Sequence, residues 1–380
     1  MKILLAPDSF KGCLTAREVA DALADGLQRT CPTCDVARVN VADGGEGFCE
    51  AILSAQGGKW VPVKTLDPLG RPMRARYALC GELAVVETAA ASGLPLLRPE
   101  ERNPLLTSSY GTGLLIRDAL ERDCRELLIG LGGSATHDAG TGLLSALGFR
   151  FLDTSGAVLP GCGASLGRIA RIDRSAVHPA LKEARFTAAC DVDTPFCGPG
   201  GAAEVFAPQK GASPEQVRVL DEGTAAFAEV MWRDSPVKPA NDEKVMPAND
   251  EHGYGAAGGI GGALHALLGA RLESGIDLVL DAAGFDAQLQ DADLVITGEG
   301  RIDAQTASGK AASGILRRAQ AAGVPVVAVG GRVAPEAAAL PFARTVALAD
   351  DSIPDSIALQ PAWARERLAE AAASILREYL

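Results

Sequence analysis

Leu128-Ile-Gly-Leu-Gly-Gly-Ser-Ala-Thr-His-Asp-Ala-Gly-Thr-Gly-Leu-Leu-Ser-Ala-Leu-Gly148 reads as a strand, a bare turn and a helix. Leu127, Leu128, Ile129 and Leu131 form a short apolar strand. Leu143, Leu144 and Leu147 then recur at helical spacing until Gly148 supplies a stop. Between them lies little but backbone. Glycines 130, 132 and 133 let a ligand approach main-chain N–H groups, and Ser134 and Thr136 add hydroxyls where a helix presents its unpaired donors, which is how a phosphate is held. The same glycines also suit a tight strand-to-helix turn built for packing.

At 380 residues the chain is too long for one ordinary core, and two domains are expected. A hydrophobic fraction of 47% with 22% charged residues, and strand signals alternating with helix signals, suits a soluble α/β protein. The net charge of −12 argues against nucleic acid as a partner, because phosphate binding there needs a basic face. No membrane association is expected: Met1-Lys-Ile-Leu-Leu-Ala6 stops at Pro7 and Asp8, and no later apolar run approaches a spanning length. Nine scattered cysteines without an export signal fit a reduced, cytoplasmic location. Cys31-Pro-Thr-Cys34 has the spacing of a metal knuckle or redox pair, yet no second CxxC follows, and it reads as a solvent-side turn.

Lys2 to Ala6 is a buried-type strand, followed by Pro-Asp-Ser-Phe-Lys-Gly12. The capping box Thr15-Ala-Arg-Glu18 then opens a helix near Ala16. Asp8, Ser9 and Lys11 therefore fall between a strand's carboxyl end and a helix N-terminus, where open α/β sheets bind ligands. A second strand, Ala37 to Val41, ends in Ala42-Asp-Gly-Gly-Glu-Gly47. From Trp60 to Glu87 short alternating segments read as antiparallel hairpins. Strand Phe186 to Cys190 ends at Asp191-Val-Asp193. The last hundred residues return to strands at 294–297, 324–329 and 345–348, with helices from about Gly309 and through Leu368, Ala372 and Ile375. The expected architecture is a Rossmann-like parallel α/β domain made from both termini, residues 1–64 and 286–380, with a mixed α/β domain, 65–285, inserted. The active site is expected in the cleft between them. Residues 233–252 contain a short tandem duplication, Pro-Ala-Asn-Asp-Glu, and are expected to form an exposed mobile loop.

Three lysines, Lys11, Lys210 and Lys310, stand just before or within the first turn of an expected helix. That placement opposes the helix dipole and is tolerated more easily when an anion shares the site. Carboxylates crowd the same loops: Asp8, Asp43, Glu46, Asp138, Asp191, Asp193, Glu299 and Asp303. Such a set suits magnesium bridging phosphate oxygens, with another carboxylate placed to accept a hydroxyl proton. Glycine loops, helix-start lysines and strand-end carboxylates together indicate phosphoryl transfer. There is no Gly-x-x-x-x-Gly-Lys-Ser/Thr, so this is not an ordinary P-loop enzyme. His137 is set aside as a catalytic group, since a carboxylate base serves a magnesium mechanism better.

At these residues the chain resembles the bacterial glycerate kinase family, nearly end to end. The resemblance is carried by Ala6-Pro-Asp-Ser-Phe-Lys-Gly12, Ala42-Asp-Gly-Gly-Glu-Gly47, Asp67-Pro-Leu-Gly-Arg71, Leu131-Gly-Gly-Ser-Ala-Thr136, Cys190-Asp-Val-Asp193, Phe206-Ala-Pro-Gln-Lys-Gly211 and Ala292-Asp-Leu-Val-Ile-Thr-Gly-Glu-Gly-Arg301. It implies ATP-dependent phosphorylation of D-glycerate, with the 2-phosphate as the expected product and a 3-kinase as the alternative. The family pattern Asn-Asp-Gly-Gly is replaced here by His137-Asp138-Ala139-Gly140, and Tyr254 stands where a small residue is usual.

The resulting expectation gives Lys11 and Lys210 the task of neutralising the transferring phosphoryl and Asp191 that of the base. Asp43 and Asp191 are the metal candidates, with ATP and Mg2+ required. Substrate and phosphate contacts are expected from Asp8, Ser9, Asp43, Gly44, Gly45, Glu46, Gly132, Gly133, Ser134, Asp138, Glu299, Arg301 and Lys310. Self-association into a homo-oligomer stays open. A dehydrogenase is disfavoured because no Gly-x-Gly-x-x-Gly with a following ribose-binding acid fits the strand pattern. A non-catalytic two-domain binder of small hydroxy acids remains the further alternative.

Overall fold

A computed structural model describes residues 1–237, 253–307, 311–350 and 352–380. The chain divides into two compact units, Met1–Asp43 with Glu50–Gln56 and Ile276–Leu380, and Gly44–Cys49 with Gly57–Gly275. The first unit contributes strands β1 (Lys2–Pro7) and β2 (Asp35–Arg38). The second contributes β3 (Lys59–Leu66), β4 (Pro72–Cys80), β5 (Leu83–Glu87), β6 (Glu126–Gly130), β7 (Arg150–Leu152), β8 (Arg171–Asp173), β9 (Arg185–Ala189) and β10 (Arg271–Glu273). The chain returns to the first unit with β11 (Leu294–Ile302), β12 (Val326–Val333) and β13 (Arg344–Ala347). Both units are mixed α/β, with parallel pairing in each main sheet.

In the first unit the sheet order is β13-β12-β11-β1-β2, parallel throughout. Renumbered within the unit this is 2-1-3-4-5 read from the other edge, the doubly wound order of flavodoxin-like sheets, whose ligand crevice opens between the first and third strands. Ile3, Leu4 and Leu5 are all buried, as a strand covered on both faces requires. One face packs Ile3 and Leu5 with Leu23 and Leu27 of helix Ala16–Thr30 and with Leu368 and Ile375 of helix Pro361–Tyr379. The other packs Leu4 and Ala6 with Ile276, Leu280 and Ile315.

The Thr15 capping box forms: Thr15 Oγ1 accepts from Glu18 N–H at 3.3 Å, and Glu18 Oε2 accepts from Thr15 N–H at 2.9 Å. The strand expected at 37–41 is instead β2, Asp35–Arg38. Val39 and Val41 are buried, but only Val39 N–H still reaches β1, donating to Leu5 O at 2.8 Å. Apolar sequence there reports burial rather than pairing. β11 continues past the expected Thr297 to Ile302, paired with β12 as far as Ile302↔Val333. Glycine permits this, since a Cβ on Gly331 would stand 2.6 Å from Gly300 O.

The second unit's main sheet runs β10-β9-β6-β5-β4-β3. β3 pairs with β4 and β4 with β5 antiparallel, but β5 turns parallel to β6, so it joins the hairpins to the parallel half rather than closing a hairpin. β3 pairs with β4 over its whole length, Lys59↔Leu79 to Leu66↔Pro72, which puts residues 59–64 in this unit instead of the terminal one. The 276–285 segment goes the other way, because Ile276, Leu280 and Phe285 pack under β1 and β11. Ser213 caps helix Pro214–Arg233 with Gln216 as a second capping box. Residues 238–252, with the duplication, lie outside the described residues.

Helices Ala16–Thr30 and Pro361–Tyr379 meet so closely at Gly26 that a Cβ there would overlap the Ala369 carbonyl. Gly26→Ala is expected to force the two helices apart and to lower unfolding stability by about 1–3 kcal/mol, the usual cost of overpacking. Denaturant unfolding checks this, and an unchanged midpoint would show that the crossing adjusts freely.

Candidate functional site

Carboxyl ends of parallel strands collect the chemistry in both units. In the first, the loop after β1 carries Asp8, Ser9 and Lys11. Asp8 N–H donates to Gly298 O at 2.8 Å, and Asp8 Oδ1 accepts from Ser9 N–H at 2.6 Å, which fixes the loop beside the end of β11. Glu299 and Arg301, two residues apart on an extended strand, share one face. These groups and Asp43 line a cavity of about 420 Å³ whose other wall includes Phe10, Leu348, Leu359 and Trp363. Asp8 is pushed up to about 7, first by burial and then by the negative charge of Asp43, with Glu299 adding to it and Lys11 opposing. Arg301 pairs with Asp303 at 3.4 Å. Lys11 is exposed at the cavity wall.

In the second unit, register sets Glu87, Gly130 and Ala189 side by side at the ends of β5, β6 and β9. Two residues beyond these ends lie Gly132 and Asp191. Gly275 N–H donates to both Asp191 oxygens, at 3.0 and 3.1 Å, which orients the carboxylate. Glu87 accepts from Cys49 N–H at 2.8 Å, and burial lifts its carboxyl above the usual range. Glu46 is exposed in the adjoining loop.

The glycine turn differs from the expected phosphate cradle. Gly132 N–H is spent on Gly44 O at 3.1 Å, and a Cβ on Gly132 would lie 2.5 Å from Gly45 Cα. Gly44, Gly45 and Gly132 thus let two loops cross in contact. Gly133 holds φ +74° and its carbonyl accepts from Leu94 N–H at 2.9 Å.

Lys210 and Asp138 also depart from the expectation that they face a ligand. Lys210 is only 2% exposed, and its ammonium donates to Ser134 Oγ at 3.0 Å and to Thr136 O at 2.7 Å, tying the turn down from inside. Burial lowers it to about 7, against the pull of Asp138. Asp138 is fully buried. Its Oδ2 accepts from Ser109 N–H and Oγ–H, each at 2.7 Å, and from Gly142 N–H at 3.2 Å, while Oδ1 accepts from Gly140 N–H at 3.2 Å. It therefore joins the starts of helices Tyr110–Glu121 and Thr141–Ala146, and burial lifts its carboxyl despite these bonds. Ala139 beside it takes φ +46°, a left-handed conformation costly for a residue with a Cβ, at the position where the resembled pattern has glycine.

His137 is buried too. Thr224 Oγ1 donates to Leu220 O at 2.7 Å, so at 3.0 Å it accepts the Nε2 proton of His137, which assigns the Nε2–H tautomer. Tyr254 packs in the core against Trp232 and His265, with ring centroids 5.7 and 5.2 Å away. Lys310 lies outside the described residues.

Sequence reasoning passed over the apolar wall of the first cavity. Its one available signal was Trp363, which flanks the buried Ala364, Leu368, Ala372 and Ile375 stripe, packs partly against that core and also lines the cavity. Among the described residues no three His, Cys, Asp or Glu side chains are grouped to hold a metal by themselves, and no helix is long and apolar enough to cross a membrane.

Parallel sheets with carboxylates and a lysine at their carboxyl ends define an α/β enzyme that handles a small charged ligand. Comparison with known proteins makes this specific. The model of the glycerate kinase family matches residues 3–380. A glycerate kinase of Bacillus subtilis (strain 168) is 41% identical over 367 residues, covering 96% of this chain and 93% of its own. A glycerate kinase of Haemophilus influenzae is 44% identical over 333 residues, covering 87% and 86%. A glycerate 2-kinase of Escherichia coli (strain K12) is 42% identical over 333 residues, covering 87% and 85%. A crystal structure from Salmonella typhimurium LT2, assigned as glycerate kinase 2, superposes with a TM-score of 0.84 at 40% identity over 100% of this chain and 98% of its own. The chain belongs to the glycerate kinase family, and it is a kinase.

His137 stays neutral in the folded protein down to about pH 3, through burial and then the charge of Lys210, whereas an unfolded histidine takes up its proton near 6.5. Its contribution to stability is therefore fully present above pH 6.5 and is lost progressively as pH falls from 6.5 towards 3. His137→Gln is expected to flatten the loss of stability between pH 6.5 and 4.5 relative to wild type. Parallel slopes in denaturant unfolding would contradict the buried neutral imidazole.

Proposed function

We propose that the chain transfers the γ-phosphoryl of ATP to D-glycerate and yields 2-phosphoglycerate. The observation that carries this reading is the gathering of Asp8, Asp43, Glu299 and Lys11 on one cavity at the carboxyl edge of a parallel sheet. Lys11 supplies the cation for the transferring phosphoryl, which phosphoryl transfer needs more than it needs covalent chemistry. Asp8 and Asp43 suit magnesium held jointly with phosphate oxygens, since burial and then the charge of Asp43 lift Asp8 to about 7, and a divalent cation would offset both. Asp43 is assigned to hold that ion, which would withdraw negative charge from the phosphoryl oxygens.

Asp191, oriented by Gly275 N–H, is assigned as the base that accepts the proton of the glycerate hydroxyl. Lys210 moves from the phosphoryl to the support of Ser134, because its hydrogen bonds are made inside the protein. The relative from Escherichia coli carries the name glycerate 2-kinase, which supports transfer to O2. Nine free thiols favour a reducing, cytoplasmic setting for the reaction.

Asp191→Asn is expected to cut kcat by about 10²–10⁴-fold, the range of general-base catalysis, while nucleotide affinity stays within about twofold. Near-normal turnover would remove Asp191 from the chemistry. Lys11→Ala is expected to lower kcat/KM at least about tenfold, as the loss of one charge-assisted contact to phosphate implies. Phosphorus NMR of the product distinguishes O2 from O3.

A further inference from the structure

The cavity of the first unit has two chemically different halves. Asp8, Lys11, Asp43 and Glu299, with Arg301, Asp303 and Arg332, make one, while Phe10, Leu348, Leu359, Trp363 and Ala364 make the other. Glycerate has three carbons, each bearing oxygen, and offers nothing for the second half to bury. About 420 Å³ is also the size of a pocket for a far larger ligand. Leu359 stands 50% exposed at the rim, an apolar side chain that water gains nothing by meeting.

This wall is also held in place. The Arg332 guanidinium donates to Asp350 O at 2.8 Å, to Ile353 O at 2.6 Å and to Asp355 Oδ1 at 2.8 Å, which fixes the connection that leads into helix Pro361–Tyr379. A rigid apolar wall with an indole on it suits a flat heterocycle, because stacked aromatic faces gain attraction beyond area burial. The polar half lies where β1 and β11 end side by side, at the reversal of strand order. Of the charged groups lining it, Arg301 pairs with Asp303 and Arg332 with Asp355, which leaves Lys11 to meet phosphate oxygens directly and Asp8, Asp43 and Glu299 to meet them through a divalent cation.

We propose that this cavity is the nucleotide subsite, with the base and ribose of a nucleoside triphosphate against Trp363, Leu359 and Leu348 and its phosphates directed to Lys11 and the carboxylates. The assignment rests on the kinase reading above. It makes Leu359 and Trp363 determinants of nucleotide affinity and leaves glycerate recognition to other residues.

The chain has three tryptophans, and Trp60 and Trp232 are both in the second unit, Trp60 beneath Arg76 and Trp232 against Tyr254. Titration of the full chain with MgADP is therefore expected to quench a fluorescence signal that Trp363→Phe abolishes, while calorimetry still detects binding by the variant. Leu359→Arg, at an exposed position that folding tolerates, is expected to raise the Kd for MgADP and the KM for MgATP at least about tenfold and to leave the KM for D-glycerate within about twofold. A quench that survives Trp363→Phe, or a Leu359→Arg enzyme with unchanged nucleotide affinity or a raised KM for glycerate, would overturn the assignment. A wild-type chain that shows the Trp363-dependent quench but forms no phosphoglycerate supports the subsite and sinks the kinase reading instead.

Discussion

Hydrogen bonding between β1 and β11 joins segments from opposite ends of the chain, and Thr297 Oγ1 reinforces it by donating to Ala6 O across a separation of 291 residues. The chain leaves β1 through helix Ala16–Thr30 to reach β2 on one side, and leaves β11 to reach β12 on the other. Departing in opposite directions, the two connections open a crevice at the strand ends that no side chain has to create. The sequence then furnishes it: Asp8 and Lys11 follow β1, Glu299 and Arg301 extend β11, and the backbone bond from Asp8 to Gly298 locks one loop to the other strand. Location comes from topology and chemistry from a few residues. Asp8 and Lys11 share a crevice with Glu299 and Arg301 only because those two strand ends are neighbours.

The same logic separates what can be read in the sequence from what cannot. The capping boxes at Thr15 and Ser213 are legible because their partners are three residues away, and both form. Buried parallel strands such as Lys2–Pro7 are legible because both faces are apolar. The Val39–Val41 run misleads, since burial and pairing leave the same apolar signature. β5 misleads differently: its antiparallel partner is adjacent in sequence, whereas its parallel partner begins some forty residues on, at Glu126. Of the candidate site, the strand-end carboxylates and Lys11 are legible from the strand-turn-helix pattern. Leu348, Leu359 and Trp363 are not, because they reach the cavity from elements remote in sequence.

Lys210, His137 and Asp138 show why helix-start polar residues are ambiguous. A cation among backbone carbonyls and hydroxyls, and a carboxylate facing N–H groups, satisfy the electrostatics that a bound phosphate would satisfy. Here the donors and acceptors come from within: Thr136 O and Ser134 for Lys210, Ser109 and Gly142 for Asp138. Sequence records the charge types but not whether water or protein lies opposite them. Removing one partner of such a set leaves a buried polar group unanswered, which costs more than the bond contributed.

The crossing of helices Ala16–Thr30 and Pro361–Tyr379 has a consequence for biosynthesis. Val19, Leu23 and Leu27 are buried by packing that includes Leu368, Ile375 and Leu376. During translation the first helix therefore waits, with its apolar stripe uncovered, until more than three hundred further residues have been made. The second unit is complete long before that. Synthesis from the amino terminus thus lets the second unit fold first, while the apolar stripe of the first helix stays open to unwanted association until the last helix is made.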